Sequence, residues 1–341
     1  MEIPSKKQVK KAGDTLVKNP KDAKAMEILS QWRSLHAHPV NTFQALLRKK
    51  ALKIKDAVIA QRLKRTPSII RKLQRFPNMD LSRMQDIGGV RIIVPKIADV
   101  YELHQSLITG RHQHKPVLPP KDYIKNPKED GYRSLHQVFK YASINKPELN
   151  GLQIELQIRT HLQHYWATAV ETLGIIEKSS FKTGEGNEEF KHFFKLVSVL
   201  FAHSEKKTVL DRYRDTPIKD IISEIVTLER KLQIFTKLKG LIITGKHITA
   251  TQPKGVYYYL MQLDTSSDTA TLSLIPFSEE QLPFAEKTYR LLEIDNIDNP
   301  SIELVLMSVN SFKDVKKAYP NYFLDTQKFI DHLQRLIAKS A

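Results

Sequence analysis

Apolar positions in residues 1–65 recur at the three-to-four-residue spacing of helices that bury one face. Asn19-Pro20 reads as a cap with proline at the first helical position, and Asn41 as the cap of a helix running through Leu46, Leu47 and Ala51. Thr66-Pro67 opens a further helix carrying Ser68, Arg71, Lys72 and Arg75. The period then shortens to two. Gly88-Gly89 breaks the helical pattern, and Val90-Arg91-Ile92-Ile93-Val94-Pro95 predicts a strand. A helix around 100–107 follows, then strands through 138–142 and 152–158. Next, Leu162, Trp166, Ala169 and Leu173 share one helical stripe that stops at Gly174, and Phe190, Phe193, Phe194, Val197 and Phe201 form another. The first domain, residues 1–205, is therefore expected to be α+β, a mixed β-sheet with flanking helices.

Pro217 opens a longer helical pattern with Ile221, Ile222, Ile225, Leu228, Leu232 and Phe235 on one face. It predicts a connecting helix within 206–240. Beyond Gly240 the pattern becomes strand-like at 256–263, 269–276 and 302–309, and a helix over about 326–337 ends the chain. Residues 241–341 thus read as a small β-rich domain closed by a helix. No internal repeat or low-complexity tract is visible.

A length of 341 residues suits two domains with their own cores. There is no cysteine, which excludes disulfides and Cys-ligated zinc and suits a reducing compartment. The first residues lack the apolar run of a signal peptide, and no stretch of apolar residues is long enough to span a bilayer. A cytoplasmic protein with no membrane partner is expected. The net charge of +17 is unevenly spread: residues 1–75 hold 19 Lys/Arg against 5 Asp/Glu. Such tracts are often solvated helix faces, but this concentration favours a polyanion, RNA or nucleotide rather than DNA.

Strand parity then separates two faces at 152–159. Leu152, Ile154, Leu156 and Ile158 point one way; Gln153, Glu155, Gln157 and Arg159 point the other. A solvated outer face would read the same. The sharper reading is a polar face over which substrate lies, with Glu155 as a metal ligand or base. Asp86, just before Gly88-Gly89, is either a turn residue or a second carboxylate for Mg²⁺, an ion that uses one or two carboxylates plus substrate phosphates. The segment Lys121–His136 supplies Lys121, Lys125, Lys128 and Arg133, which could surround a transferred phosphoryl group, or form a basic surface loop. Within it Gly131 permits close backbone approach, and Tyr132 offers a ring for base stacking. Arg62, Lys64, Arg65 and Lys72 flank the helix start at Thr66-Pro67, where backbone N–H groups favour anions. Gly240–Lys246 has P-loop spacing, but His247 stands where Ser or Thr is required and the spacer is strand-like. His112 and His114 lack partner ligands for zinc.

The segments Met84–Pro95, Lys121–His136 and Ile154–Thr160, in this order and spacing, resemble the synthetase domain of RelA/SpoT proteins, over roughly residues 40–205. That resemblance implies a nucleotidyltransferase-like synthetase fold and transfer of the β,γ-pyrophosphate of ATP to a ribose 3′-hydroxyl, with release of AMP. It implies Mg²⁺ held by Asp86, with Glu155 as second ligand or base. Arg62, Lys64, Lys72 and Arg91 would surround ATP, Lys121 and Lys128 would meet phosphates, and Tyr132 would stack on the acceptor base. The acidic-histidine-lysine sequence common after the third motif is absent; Trp166–Gly174 stands in its place. The arrangement is more similar to toxic small alarmone synthetases of the fused toxin–antitoxin CapRel type. That type implies the tRNA CCA end as acceptor, with translation blocked. It also implies a C-terminal antitoxin-like domain that occludes the ATP site until a phage structural protein engages it, through Tyr319 and Tyr322 in a Tyr-x-x-Tyr element. Free-nucleotide alarmone synthesis, and an inactive RNA-binding regulator, are the alternatives.

Overall fold

The computed structural model describes residues 3–177, 187–240, 243–246, 255–267, 270–299, 301–308 and 326–340. Tyr319 and Tyr322 lie outside them. Three helices come first: α1 (Lys6–Lys18), α2 (Ala23–Leu35) and α3 (Ala37–Lys50). Then follow β1 (Val58–Leu63), α4 (Thr66–Arg75), β2 (Gly88–Val94), α5 (Ile97–Ile108), β3 (Lys115–Asp122), β4 (Leu135–Lys140) and β5 (Gln153–Thr160). Helices α6 (His161–Ile176), α7 (Glu188–Ser204), α8 (Ile218–Leu232) and α9 (Ile234–Gly240) form the next block. The remainder is β6 (Ile243–Lys246), β7 (Tyr258–Asp264), β8 (Ala270–Phe277), α10 (Leu282–Asp295), β9 (Ile302–Ser308) and α11 (Gln327–Ser340).

The α+β expectation holds, and the strands form one mixed sheet in the order β3-β4-β5-β2-β1-β9-β7-β8-β6. β2 and β5 run parallel, as do β6 and β8; the other pairs are antiparallel. The C-terminal strands therefore extend the sheet of the first half through β1 and β9, where Gln61 faces Ser308 and Arg62 faces Met307.

Parity decides what each face does. Val90, Ile92 and Val94 of β2, with Ile154, Leu156 and Ile158 of β5, enter the main core beneath α1–α3 and α5. Gly88 belongs to this face because a β-carbon there would lie 2.6 Å from Val40 Cγ2. The alternate residues, Gly89, Arg91, Glu155 and Gln157, line the opposite face together with Arg62 of β1. A second core joins α6–α9 to Phe329, Ile330 and Leu333 of α11, so the end of the chain returns to the first half.

Several local expectations shift. Asn19 is the C-cap of α1, and α2 begins after Asp22, whose carboxylate accepts from the Ala25 N–H. Asn41 lies inside α3, which starts four residues earlier. α6 continues past Gly174 to Ile176. β4 begins at Leu135 rather than near Val138, which moves His136 from the loop onto the sheet.

Candidate active site

Three strands and one turn assemble the site. β1 and β2 pair so that Ala60 faces Arg91 and Arg62 faces Gly89; β2 and β5 pair so that Gly89 faces Glu155 and Arg91 faces Gln157. Ala60, Arg62, Lys64, Asp86, Gly89, Val90, Arg91, Glu155 and Gln157 line a cavity of about 100 Å³. Asp86 and Glu155, far apart in sequence, thus face one space.

Asp86 sits between two lysines. Its Oδ2 is 2.9 Å from Lys64 Nζ and its Oδ1 is 2.9 Å from Lys72 Nζ. Burial pushes the Asp86 carboxyl up, but the Lys64 and Lys72 ammonium groups outweigh it and hold the group below its ordinary range; Glu155 opposes them. Lys64 lies beyond the end of β1, and Lys72 on the second turn of α4. Burial is the largest influence on Lys64, whose pKa falls despite Asp86.

Glu155 is held from two sides. His136 Nδ1 lies 3.0 Å from Oε1, and Gln157 Nε2 donates to Oε2 at 2.8 Å. Burial raises this carboxyl, yet the neighbouring His136, these hydrogen bonds and Lys72 bring it down to about 2. Gln157 in turn accepts from Arg91 Nε at 3.4 Å. His136 Nε2 lies 2.9 Å from the Tyr132 hydroxyl. A chain of polar contacts therefore crosses the sheet from Arg91 to Tyr132.

The Lys121–His136 segment divides. Lys121 approaches Gln85 Oε1 at 3.5 Å, beside Asp86 in sequence. Lys128 lies over the Tyr123 ring at 4.7 Å and the Tyr132 ring at 5.0 Å from their centroids, an arrangement favourable to the cation. Tyr132 is edge-on to both Tyr123 and His136. Lys125 lies over Tyr101 instead.

Arg133 departs from its expected role on phosphate. It is buried, its Nε donating to Ser198 Oγ at 3.0 Å and its Nη1 to the Thr208 carbonyl at 2.7 Å. These bonds hold its side chain against α7 and the segment after it, so it fastens the loop instead of lining the cavity. Gly131 serves the same end. Its φ is +92°, a β-carbon would meet Ser198 Cβ at 2.9 Å, and its carbonyl accepts from Ser198 Oγ at 2.6 Å. The close approach is to a helix, not to a ligand.

Among the described residues no cluster of three or more His, Cys, Asp or Glu could hold a metal. Asp86 and Glu155 nevertheless fit Mg²⁺. Both present carboxylate oxygens to one cavity, and Glu155 makes the Asp86 charge less favourable, a repulsion that a shared cation relieves. Substrate phosphates complete such a shell.

The helix start at Thr66-Pro67 is filled from within the chain. Glu293 of α10 accepts from the Thr66 N–H at 2.9 Å, from the Thr66 hydroxyl at 2.9 Å and from Arg33 Nη1 at 2.6 Å. Arg33 also lies 5.1 Å from the Tyr289 ring centroid. Glu303 of β9 pairs with Arg65 at 3.3 Å. Sequence reading missed Arg33, Glu293 and His136. The first two are separated by most of the chain. His136 could have been found by counting parity from Lys140 back through Val138.

Comparison with known proteins follows this geometry. Residues 61–185 match the model described as a region found in RelA / SpoT proteins, and all the cavity residues but Ala60 lie within that span. GTP pyrophosphokinase YwaC of Bacillus subtilis (strain 168) is 34% identical over 31% of this chain and 52% of its own length. GTP pyrophosphokinase YjbM of the same strain is 32% identical over 34% of this chain and 54% of its own. The chain thus spans about half the length of these curated relatives. Small alarmone synthetase 1 from Bacillus subtilis, solved with its product pppGpp, aligns at TM-score 0.43 and 23% identity, covering 52% of this chain and 92% of that one.

Proposed function

We propose that this chain is an ATP-dependent pyrophosphokinase that modifies the 3′-hydroxyl of the tRNA CCA end and so inhibits translation. One observation carries the enzymatic reading: Asp86 and Glu155 share a cavity walled by Arg62, Lys64 and Arg91, inside the region matched to RelA/SpoT proteins. Arg62, Lys64, Lys72 and Arg91 hold the ATP phosphates, and Lys121 and Lys128 hold phosphates at the loop side. Lys64 and Lys72, paired with Asp86 in the structure, already stand as cations beside the carboxylates.

The transfer balances as follows. The acceptor 3′-oxygen attacks the β-phosphorus of ATP, forming one O–P bond. The bond between that phosphorus and the α,β-bridging oxygen breaks, and AMP leaves with the bridging oxygen and its electron pair. Glu155 takes the proton of the attacking hydroxyl. Asp86 and Glu155 would hold Mg²⁺, which would neutralise charge on the phosphates. Tyr132 stacks on the acceptor base.

The tRNA reading is supported by the basic first quarter of the chain. Lys6, Lys7, Lys10, Lys11 and Lys18 are exposed along α1, which packs on α4, the helix bearing Lys72. A nucleic acid needs such an extended phosphate-binding face; a free nucleotide does not. Autoinhibition is supported by the way the C-terminal part docks. Glu293 fills the anion site at the start of α4, and β9 pairs beside Arg62. Tyr319 and Tyr322, outside the described residues, are the pair that would close the adenine site in this reading, and a phage structural protein that engages this part would release it, making the protein an anti-phage device.

A second reading, alarmone synthesis on a free nucleotide, is favoured by the names of YwaC and YjbM, both GTP pyrophosphokinases. ATP labelled at the γ-phosphate, supplied with bulk tRNA or with GDP and GTP, separates the two. Label on tRNA is expected; label confined to the nucleotide selects the second reading. Expression of the Tyr319→Ala/Tyr322→Ala chain should be more toxic than the parent, and unchanged growth contradicts the proposed occlusion.

A further inference from the structure

Glu155 must point at one hydroxyl of a flexible polynucleotide end, and a glutamate side chain has three torsions with which to miss it. Both of its oxygens are engaged within the fold, Oε1 by His136 and Oε2 by Gln157. An ionised carboxylate only accepts hydrogen bonds, so His136 Nδ1 carries the proton. On the other side of the ring Nε2 lies 2.9 Å from the Tyr132 hydroxyl, within hydrogen-bond reach. Burial raises the Tyr132 phenol, so that hydroxyl keeps its proton. His136 is itself buried on β4, opposite Gln157 in the antiparallel register, so the ring has little room to turn.

We infer that His136 is a positioning residue for the transfer: it ties Glu155 to Tyr132, so the group that takes the acceptor proton is aligned with the ring that seats the acceptor base. This rests on the pyrophosphokinase reading above and goes beyond it, because no role in that reading falls to His136. The linkage makes a definite physical sense. Base stacking fixes the nucleoside, and one imidazole transmits the position of that platform to the carboxylate some residues away on the adjacent strand. Misplacement of a reacting pair by about 1 Å can cost on the order of 100-fold in rate. An imidazole bridge between two partners is a short and rigid way to prevent that.

The test compares His136→Ala, His136→Asn and Tyr132→Phe in the full chain, with and without the Tyr319→Ala/Tyr322→Ala changes. The Asn amide can occupy the place of Nδ1 and donate to Glu155, whereas Tyr132→Phe keeps the ring and removes only the hydroxyl. Three quantities are read: kcat for transfer, acceptor KM, and affinity for a non-hydrolysable ATP analogue. His136→Ala should lower kcat by roughly 100-fold, with analogue affinity within about twofold of the parent. His136→Asn should restore much of that loss. Tyr132→Phe should lower kcat while leaving acceptor KM near the parent value.

Unchanged kcat in His136→Ala, with the parent active, overturns the inference alone. So does a loss of kcat accompanied by an equal loss of analogue affinity that His136→Asn does not relieve, since that marks a residue needed only for folding. A parent chain that transfers nothing to any acceptor in either background refutes the enzyme reading, and the inference falls with it.

Discussion

At the scale of single residues, the candidate site is a problem in placing charges of both signs within a small polar space. Asp86 and Glu155 stay ionised because cations and hydrogen-bond donors outweigh the burial that opposes them. Part of the arrangement followed from sequence: alternation at 152–159 put Glu155 and Gln157 on one face, while Asp86, just before Gly88-Gly89, read as either a turn residue or a second carboxylate. What did not follow was the direction of side chains in the loop. Arg133 and Gly131 were read as phosphate-facing because basic residues and glycine suit phosphates, yet both answer to α7, packed from more than sixty residues away. Gly131→Ala tests that assignment. The left-handed backbone and the 2.9 Å approach to Ser198 Cβ together predict a loss of about 1–3 kcal/mol. The urea midpoint should fall while ATP-analogue affinity in the folded protein is kept. A fully stable variant with lost phosphate affinity would instead return Gly131 to a ligand-binding role.

Among elements, the joint between the two halves is the most consequential feature. α4 starts at Thr66 without a side-chain cap of its own, and Glu293 from α10 supplies one. The same carboxylate pairs with Arg33; burial is the largest influence and lowers the guanidinium pKa, but Glu293 and Tyr289 together outweigh it and the charge survives. Both partners are nearly fully buried, with side chains 6% and 2% exposed. Removing one partner of such a pair commonly costs about 3–5 kcal/mol, since the other charge stays buried and uncompensated. Glu293→Gln should therefore speed hydrogen exchange at the start of α4 and along α10, leaving β4 and β5 protected. Exchange that is unaltered at α4 would mean the contact does not hold the halves together. The anion-favouring start of α4 at Thr66-Pro67 was legible beforehand, but Glu293 as its occupant was not. Residues 1–65 read as helical throughout, so β1, the strand that receives β9, went unrecognised. The pattern over α10 was masked by its Pro-containing start and by polar residues on the exposed side.

For the whole molecule, a sheet running unbroken from β3 to β6 joins a C-terminal segment to the strands that line a site formed far earlier in the chain. The strands at 258–264, 270–277 and 302–308 were legible as strands from their alternation, to within a residue or two. Their attachment to β1 was not, because pairing between distant strands leaves no trace in a local period. The return of α11 to α6–α8 is equally non-local. Among the described residues no helix is long and apolar enough to cross a membrane. Charge asymmetry also acts at this scale. If the exposed lysines of α1 meet an RNA backbone, binding must weaken steeply with salt, by roughly one power of salt concentration per phosphate neutralised. Titration of tRNA at a series of ionic strengths should give a slope that shrinks when Lys6, Lys7, Lys10 and Lys11 are changed to Gln together. A slope near zero in the parent would favour a free nucleotide as acceptor.

The central claim is that the Asp86–Glu155 cavity moves a diphosphate from ATP to a ribose hydroxyl. It is tested most directly by counting products in one reaction: AMP and ADP released from ATP, and γ-label recovered on the acceptor, for the full chain and for Glu155→Gln. The account predicts one AMP for each labelled acceptor, no ADP above background, and loss of both AMP and label in Glu155→Gln. ADP as the accompanying product, or AMP and label formed undiminished by Glu155→Gln, would contradict it.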